Sequence, residues 1–214
     1  MKSAALPSTL RFASSLQGRS SMTETTTSQP LILTLKIDDE AQAFYEGLRR
    51  RHFPPERNLI PAHLTLFHQL TDKESTYTTI RELAESTPVL QLAHTTPRSI
   101  GLGVAIFFQS EQLASLHSAL SRIFKDQLIP QDRQPFRPHI VIQNKVDPET
   151  ASAPLSELDI PSLTPPNGIG LTLWRYLGGP WKHLSDFPFM ASATDVAIEA
   201  TADPLNQPVD KPVD

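Results

Sequence analysis

PAHLTLFHQL, residues 61–70, sets an imidazole and a hydroxyl two positions apart between leucines. Side chains alternate faces along an extended chain, so His63, Thr65 and Phe67 are expected on one face of a strand. Leu64, Leu66 and His68 would take the other, where the leucines can anchor the strand to a helix layer. FRPHIVIQNKV, residues 136–146, repeats the arrangement: His139, Val141, Gln143 and Lys145 share a face, and Ile140 and Ile142 point to the core. Each histidine opens its strand after a proline-containing stretch, P-A-H and R-P-H. A lone histidine among aliphatic neighbours is usually a hydrogen-bonded structural residue. Two in matching settings point instead to a pair.

Outward from these strands, LILTLKI (31–37) reads as a strand, followed by a helix over DDEAQAFYEGLRRRHF. Asp38 suits its N-cap, Ala41, Phe44, Tyr45 and Leu48 fall at helical spacing, and Pro54 and Pro55 end it. Helices are expected over STYTTIRELAES (75–86) and SEQLASLHSALSRIFKD (110–126), and a short one near residues 148–158. VLQLAHTTPRSI (89–100) and GVAIFFQS (103–110) read as strands. GIGLTLWRYLGG (168–179) and PWKHLSDFPF (180–189) read as a strand, a Gly-Gly turn and a second extended segment. Strands that run together in the middle and at the end argue for α+β lobes with antiparallel pairs, not a doubly wound sheet.

The chain of 214 residues has no cysteine, which excludes disulfides, thiolate-bound zinc and a cysteine nucleophile. Its net charge of −4 is unevenly spread: residues 1–30 carry +2 and residues 191–214 carry −4. The middle is near neutral, which argues against a track for duplex DNA, and no apolar run is long enough to span a bilayer. Residues 1–28 read as a disordered leader, upstream of a start at Met22, or as a transit peptide. Residues 191–214 read as a disordered acidic tail, leaving 29–190 as the folded domain. The expected location is cytoplasmic, or mitochondrial if the leader is a transit peptide, and the expected state is a monomer.

Two imidazoles facing each other across a cleft make a base–acid pair near neutral pH. A phosphodiester beside a ribose hydroxyl suits that pair, because one ring moves the proton of the attacking oxygen while the other protonates the leaving oxygen. No H-x-H, HExxH or acidic cluster stands at metal-ligand spacing, so neither metal nor cofactor is expected. His68 is expected to be structural, His52 and His117 to sit in helices, surface-exposed or half-buried, and His94 and His183 on strands that could approach the cleft. Arg137, Lys145 and Arg175 read as solvated charges, with attraction of a phosphate as the alternative, and Trp174, Tyr176 and Trp181 as packing for the terminal strands, with stacking of a base as the alternative.

HLTL at 63–66 matches the H-x-[Thr/Ser]-x motif of the two-histidine phosphoesterase superfamily, which includes 2′-5′ RNA ligase-like proteins and cyclic phosphodiesterases. HIVI at 139–142 resembles its second copy, and the resemblance runs through residues 31–189, including PPERNLIPAHLTLFH, PQDRQPFRPHIVIQNKV and LWRYLGGPW. It implies a bilobal, pseudo-twofold α+β fold with antiparallel sheets lining a central cleft and helices outside. It further implies His63 and His139 as acid and base and Thr65 as a phosphate-binding hydroxyl. The implied reactions open 2′,3′-cyclic phosphates or act on 2′-5′ linkages, on RNA ends or small cyclic nucleotides, without a metal. Val141 departs from the pattern, standing where the second motif has a hydroxyl. Gln143 on the same face is the candidate substitute. The alternative reading is a non-catalytic module that binds RNA ends or nucleotides.

Overall fold

The computed structural model of the chain describes residues 29–146, 150 and 164–190. The leader over 1–28, the tail over 191–214 and, but for Thr150, the helix expected near 148–158 lie outside the described residues. In chain order the elements are β1 (Leu31–Ile37), α1 (Asp39–His52), β2 (Leu64–Leu70), α2 (Glu74–Glu85), β3 (Leu90–Gln91), β4 (Ala93–His94), β5 (Arg98–Ser99), β6 (Val104–Gln109), α3 (Glu111–Ile123), β7 (His139–Gln143), β8 (Asn167–Tyr176) and β9 (Trp181–Pro188).

A strand, a helix and a histidine strand occur twice, as β1-α1-β2 and as β6-α3-β7. Both helices start the same way. The Asp38 carboxylate accepts from the Ala41 amide at 2.9 Å, and the Ser110 hydroxyl accepts from the Leu113 amide at 3.2 Å. Each cap satisfies an amide that the first helical turn would otherwise leave without a partner. The ladders join into one sheet of order β3-β8-β1-β2-β7-β6-β4, with β9 added to β8 and β5 added to β6. All pairings between these strands are antiparallel.

The two repeats meet where β2 faces β7, through the single pair Leu64–Ile140. Both side chains are buried, and with Leu33, Leu35, Ile106, Ile142, Leu171 and Leu173 they form the apolar face of the sheet. Tyr45 and Leu48 of α1, Ile80 and Ala84 of α2, and Leu113 and Leu120 of α3 belong to the same core. Burying one such aliphatic side chain contributes about 1.5–3 kcal/mol, so this face drives the layering. The opposite face keeps the polar residues.

Three expectations change here. Phe67 does not share the His63 face: the register moves from Thr34–Thr65 to Leu33–Phe67, so β2 holds one extra residue. That bulge turns Phe67 into the core, where it is fully buried and stacks on His117 at 4.8 Å. His117 is buried rather than surface-exposed or half-buried, with the Phe136 ring parallel to it at 3.9 Å. The single strand expected over 89–100 is instead three two-residue pieces. Leu90 pairs with Gly168 of the first half, whereas Ala93 and Arg98 pair with Gln109 and Ala105 of the second. The segment crosses between the halves, and Pro97, which has no amide to donate, interrupts it.

Candidate active site

The Leu64–Ile140 pair fixes where the two motifs stand. Carrying that antiparallel register one residue each way sets His63 opposite Val141 and Thr65 opposite His139, all four on the polar face. His63 and His139 are then diagonal neighbours, about 7–8 Å apart at the backbone and within reach of one small group between their rings. A pseudo-twofold axis passes through the pair, as the repeated β-α-β order requires.

Each imidazole is held in the same way. Nδ1 of His63 donates to the Pro61 carbonyl at 2.7 Å, and Nδ1 of His139 donates to the Arg137 carbonyl at 2.7 Å. A carbonyl can only accept, so Nδ1 carries the proton and Nε2 is left for the cleft. The proline-containing stretches before each histidine therefore supply the carbonyl that sets its tautomer. An aromatic wall stands beside each ring: Trp181 lies 4.6 Å from His63, and Phe107 stacks on its cross-strand partner His139 at 5.1 Å. The Arg98 guanidinium sits over the far wall, 5.5 Å from the Phe107 ring centre. Trp181 thus flanks a histidine in addition to packing the terminal strands.

His63 keeps an accessible edge but is closely surrounded, and burial pushes its imidazole down to about 4. The Pro61 carbonyl opposes this shift, while the charges of Arg49, His139 and His68 add to it. A neutral His63 with its proton on Nδ1 offers a lone pair on Nε2, the form a general base needs. Thr65 and Val141 are half-buried. Gln143 is buried, and its amide nitrogen donates to the Thr150 carbonyl at 3.2 Å, so that donor is already engaged.

On either side of the central pair the two half-sheets separate, and a buried charged side chain bridges each gap. On one side Arg49 of α1 donates to the Val141 carbonyl at 2.7 Å and to the Ile60 carbonyl at 3.2 Å. It also donates twice to the Asn58 side-chain oxygen, at 3.1 and 2.8 Å, and covers the Phe53 ring. On the other side the Asp132 carboxylate accepts from the His68 and Gln69 amides and from the His68 ring at 2.7 Å. These two residues hold the histidine strands in register, and sequence reasoning missed both. The signal for Arg49 was its spacing, one helical turn beyond Tyr45 on the buried stripe of α1.

His68 is structural through Asp132, and His94 bonds the buried Tyr45 hydroxyl at 2.7 Å. Arg175 pairs with Asp72. Lys145 is exposed just beyond β7 with a positive φ of 57°. His183, in contrast, lines the same cavity as His63. Among the described residues no three His, Asp or Glu side chains converge as metal ligands, and no helix is long and apolar enough to cross a membrane.

A family model described as the 2′-5′ RNA ligase superfamily matches residues 37–180, which span both histidine strands. No curated protein matches the chain. Among solved structures, the crystal structure of TT0787 of Thermus thermophilus is similar at 18% identity, covering 76% of this chain and 99% of that one with a TM-score of 0.53. E. coli LigT complexed with 3′-AMP is 17% identical over 76% of this chain and 98% of its own, with a TM-score of 0.48. At such identity the likeness to TT0787 is one of fold: a mixed helix and sheet architecture with a nearly closed antiparallel sheet.

Proposed function

The chain belongs to the 2′-5′ RNA ligase superfamily, and from that premise we propose that it is a phosphoesterase that opens 2′,3′-cyclic phosphates or acts on 2′-5′ linkages at RNA or nucleotide ends. His63 and His139 are its acid–base pair. The observation that carries this reading is the matched pair of 2.7 Å Nδ1 bonds, which leaves both Nε2 atoms for one phosphate. In hydrolysis, neutral His63 takes the proton from the attacking water, and His139 as imidazolium protonates the ribose oxygen that leaves. In the ligation direction the proton transfers reverse. Thr65, opposite His139, donates its hydroxyl to a non-bridging phosphate oxygen.

A panel of 2′,3′-cyclic nucleotides, 2′-5′ dinucleotides and cyclic-phosphate RNA ends tests the reading, with a His63→Ala protein as control. Turnover of at least one class, lost in the control, is expected. Equal product from the wild type and the control would contradict it. The pH profile makes a sharper demand. A base at about 4 stays unprotonated down to that pH, so kcat/KM should hold as pH falls through 6.5 and drop only near 4. An acid limb at 6.5 would remove His63 from the role of base.

Val141 gives a third test. Valine matches threonine in shape but offers no hydroxyl, a loss on the order of 1–3 kcal/mol of transition-state stabilisation. Val141→Thr should raise kcat for a cyclic-phosphate substrate about tenfold, and unchanged turnover would show that the site is not impaired by valine. The same residue favours the second reading, a binding module without turnover. Tight nucleotide binding with no product, even in the threonine variant, would establish that reading.

A further inference from the structure

The polar face of the sheet continues past His63 onto β1, β8 and β9, and it holds a cluster there that the acid–base chemistry does not use. Thr34 is the cross-strand partner of Thr65, Thr172 of Thr34, and Asp186 of Thr172, so one row runs from His139 through three threonines to a carboxylate. Extending the Leu35–Leu64 register by one residue sets Lys36 beside His63. Beside this row lies a cavity of about 260 Å³, lined by His63, Lys36, Thr172, Trp174, His183 and Asp186.

Asp186 gathers the cluster. It accepts from the Lys36 ammonium at 2.5 Å, from the Thr172 hydroxyl at 2.8 Å and from the His183 ring at 3.0 Å. Burial opposes its ionisation, but these three hydrogen bonds and the Lys36 charge hold its carboxyl at about 2. The carboxylate therefore stays ionised and neutralises Lys36. Asp39 also lines the cavity, which therefore holds one lysine and two acidic residues. Trp174 is fixed by its indole N–H, which donates to the Thr34 hydroxyl at 2.9 Å. The other repeat is different: Phe107 stands beside His139 where Lys36 stands beside His63, and no acid–base cluster accompanies it among the described residues.

A cavity meant for a second phosphate would leave its cation unspent, whereas this one cancels it. Its other features are an aromatic ring, hydroxyls, and paired donors and acceptors, which suit the ring and polar edges of a nucleoside. Its volume lies just below the usual range for ligand cavities, roughly 300–1,000 Å³, which leaves room for one nucleoside and not for a longer strand. We infer that the cavity beside His63 takes the uncharged nucleoside portion of the substrate, and that Asp186, by neutralising Lys36, is the specificity-determining residue that excludes a second phosphate. The inference rests on the reading that one phosphate sits between the imidazoles. A 5′-phosphate on the same nucleoside is carried into the cavity and meets Asp186 and Asp39.

Calorimetric binding of adenosine 3′-monophosphate and adenosine 3′,5′-bisphosphate to the full chain tests this without turnover. The wild type should prefer the monophosphate by about tenfold, the scale of one like-charge contact in a partly screened site. Asp186→Asn should narrow the preference to about threefold or less, and Lys36→Met should widen it beyond the wild-type ratio. A folding defect cannot move one ratio in two directions, and melting curves check both variants. Equal or tighter binding of the bisphosphate by the wild type, no binding of either nucleotide, or variants that shift the ratio the same way would overturn the inference. Cyclic-nucleotide turnover, measured on the same proteins, separates the two claims. A retained preference without turnover contradicts the enzymatic reading alone, and turnover without a preference contradicts the subsite alone.

Discussion

Alanine at His63 or at His139 should lower kcat for a 2′,3′-cyclic nucleotide by about 10³-fold, within the 10²–10⁴ range of a positioned general acid or base. Both rings are half-buried at the cleft, and each makes one hydrogen bond, to a carbonyl two residues upstream. Their removal should therefore cost no more than about 1 kcal/mol of stability. Initial rates at saturating substrate, paired with thermal melts, separate the two effects. A large rate loss with a melting temperature close to wild type is the expected result. Wild-type rates in either variant would show that its imidazole moves no proton in the reaction.

Arg49→Met should have the largest effect on the fold. Arg49 is 2% exposed and serves the Val141 and Ile60 carbonyls and the Asn58 side chain together. Methionine can fill part of the volume but leaves those acceptors without donors where water is scarce. The cost should be about 3 kcal/mol, the scale of one or two hydrogen bonds to a charged group, and about 10 °C in melting temperature for a chain of this size. A second readout goes beyond stability. The Arg49 charge helps to depress His63, so its removal should move the acid limb of the pH–rate profile upward from about 4. Urea unfolding and a pH profile on the same protein check both statements. A melting temperature within 2–3 °C of wild type would mean that Arg49 does not hold the seam, by the same roughly 2–4 °C per kcal/mol scaling.

The layering was legible because the relevant signals are local. The leucines of HLTL and the isoleucines of HIVI fall on alternate positions and are buried, as are Leu113, Leu116 and Leu120 of the α3 stripe, whereas Ile123, which the same spacing includes, is exposed. Asp38 marks the start of α1 by residue type alone. The candidate pair is legible as one pattern present twice, whereas the role of Thr65 follows only from the family resemblance. What stayed hidden depends on partners distant in the chain. The bulge at Phe67 follows from how β2 meets β1, which no period within β2 encodes. Gln143 alternates correctly for the cleft face, but a register shift beside Val104 and the nearby Thr150 carbonyl bury it. Arg49 and Asp132 matter because the half-sheets separate around one pair, and that gap exists only in three dimensions. The Lys36–Asp186 pair joins residues 150 positions apart, so neither charge announces the other.

The central claim is that His63 and His139 work as one unit on one phosphate. A double-mutant cycle on kcat, using His63→Ala, His139→Ala and the combined protein with a 2′,3′-cyclic nucleotide, tests it most directly. Groups that act together are strongly non-additive, so the combined variant should be within about tenfold of either single one. A combined loss equal to the product of the two single losses would mean that the imidazoles act independently and contradict the account.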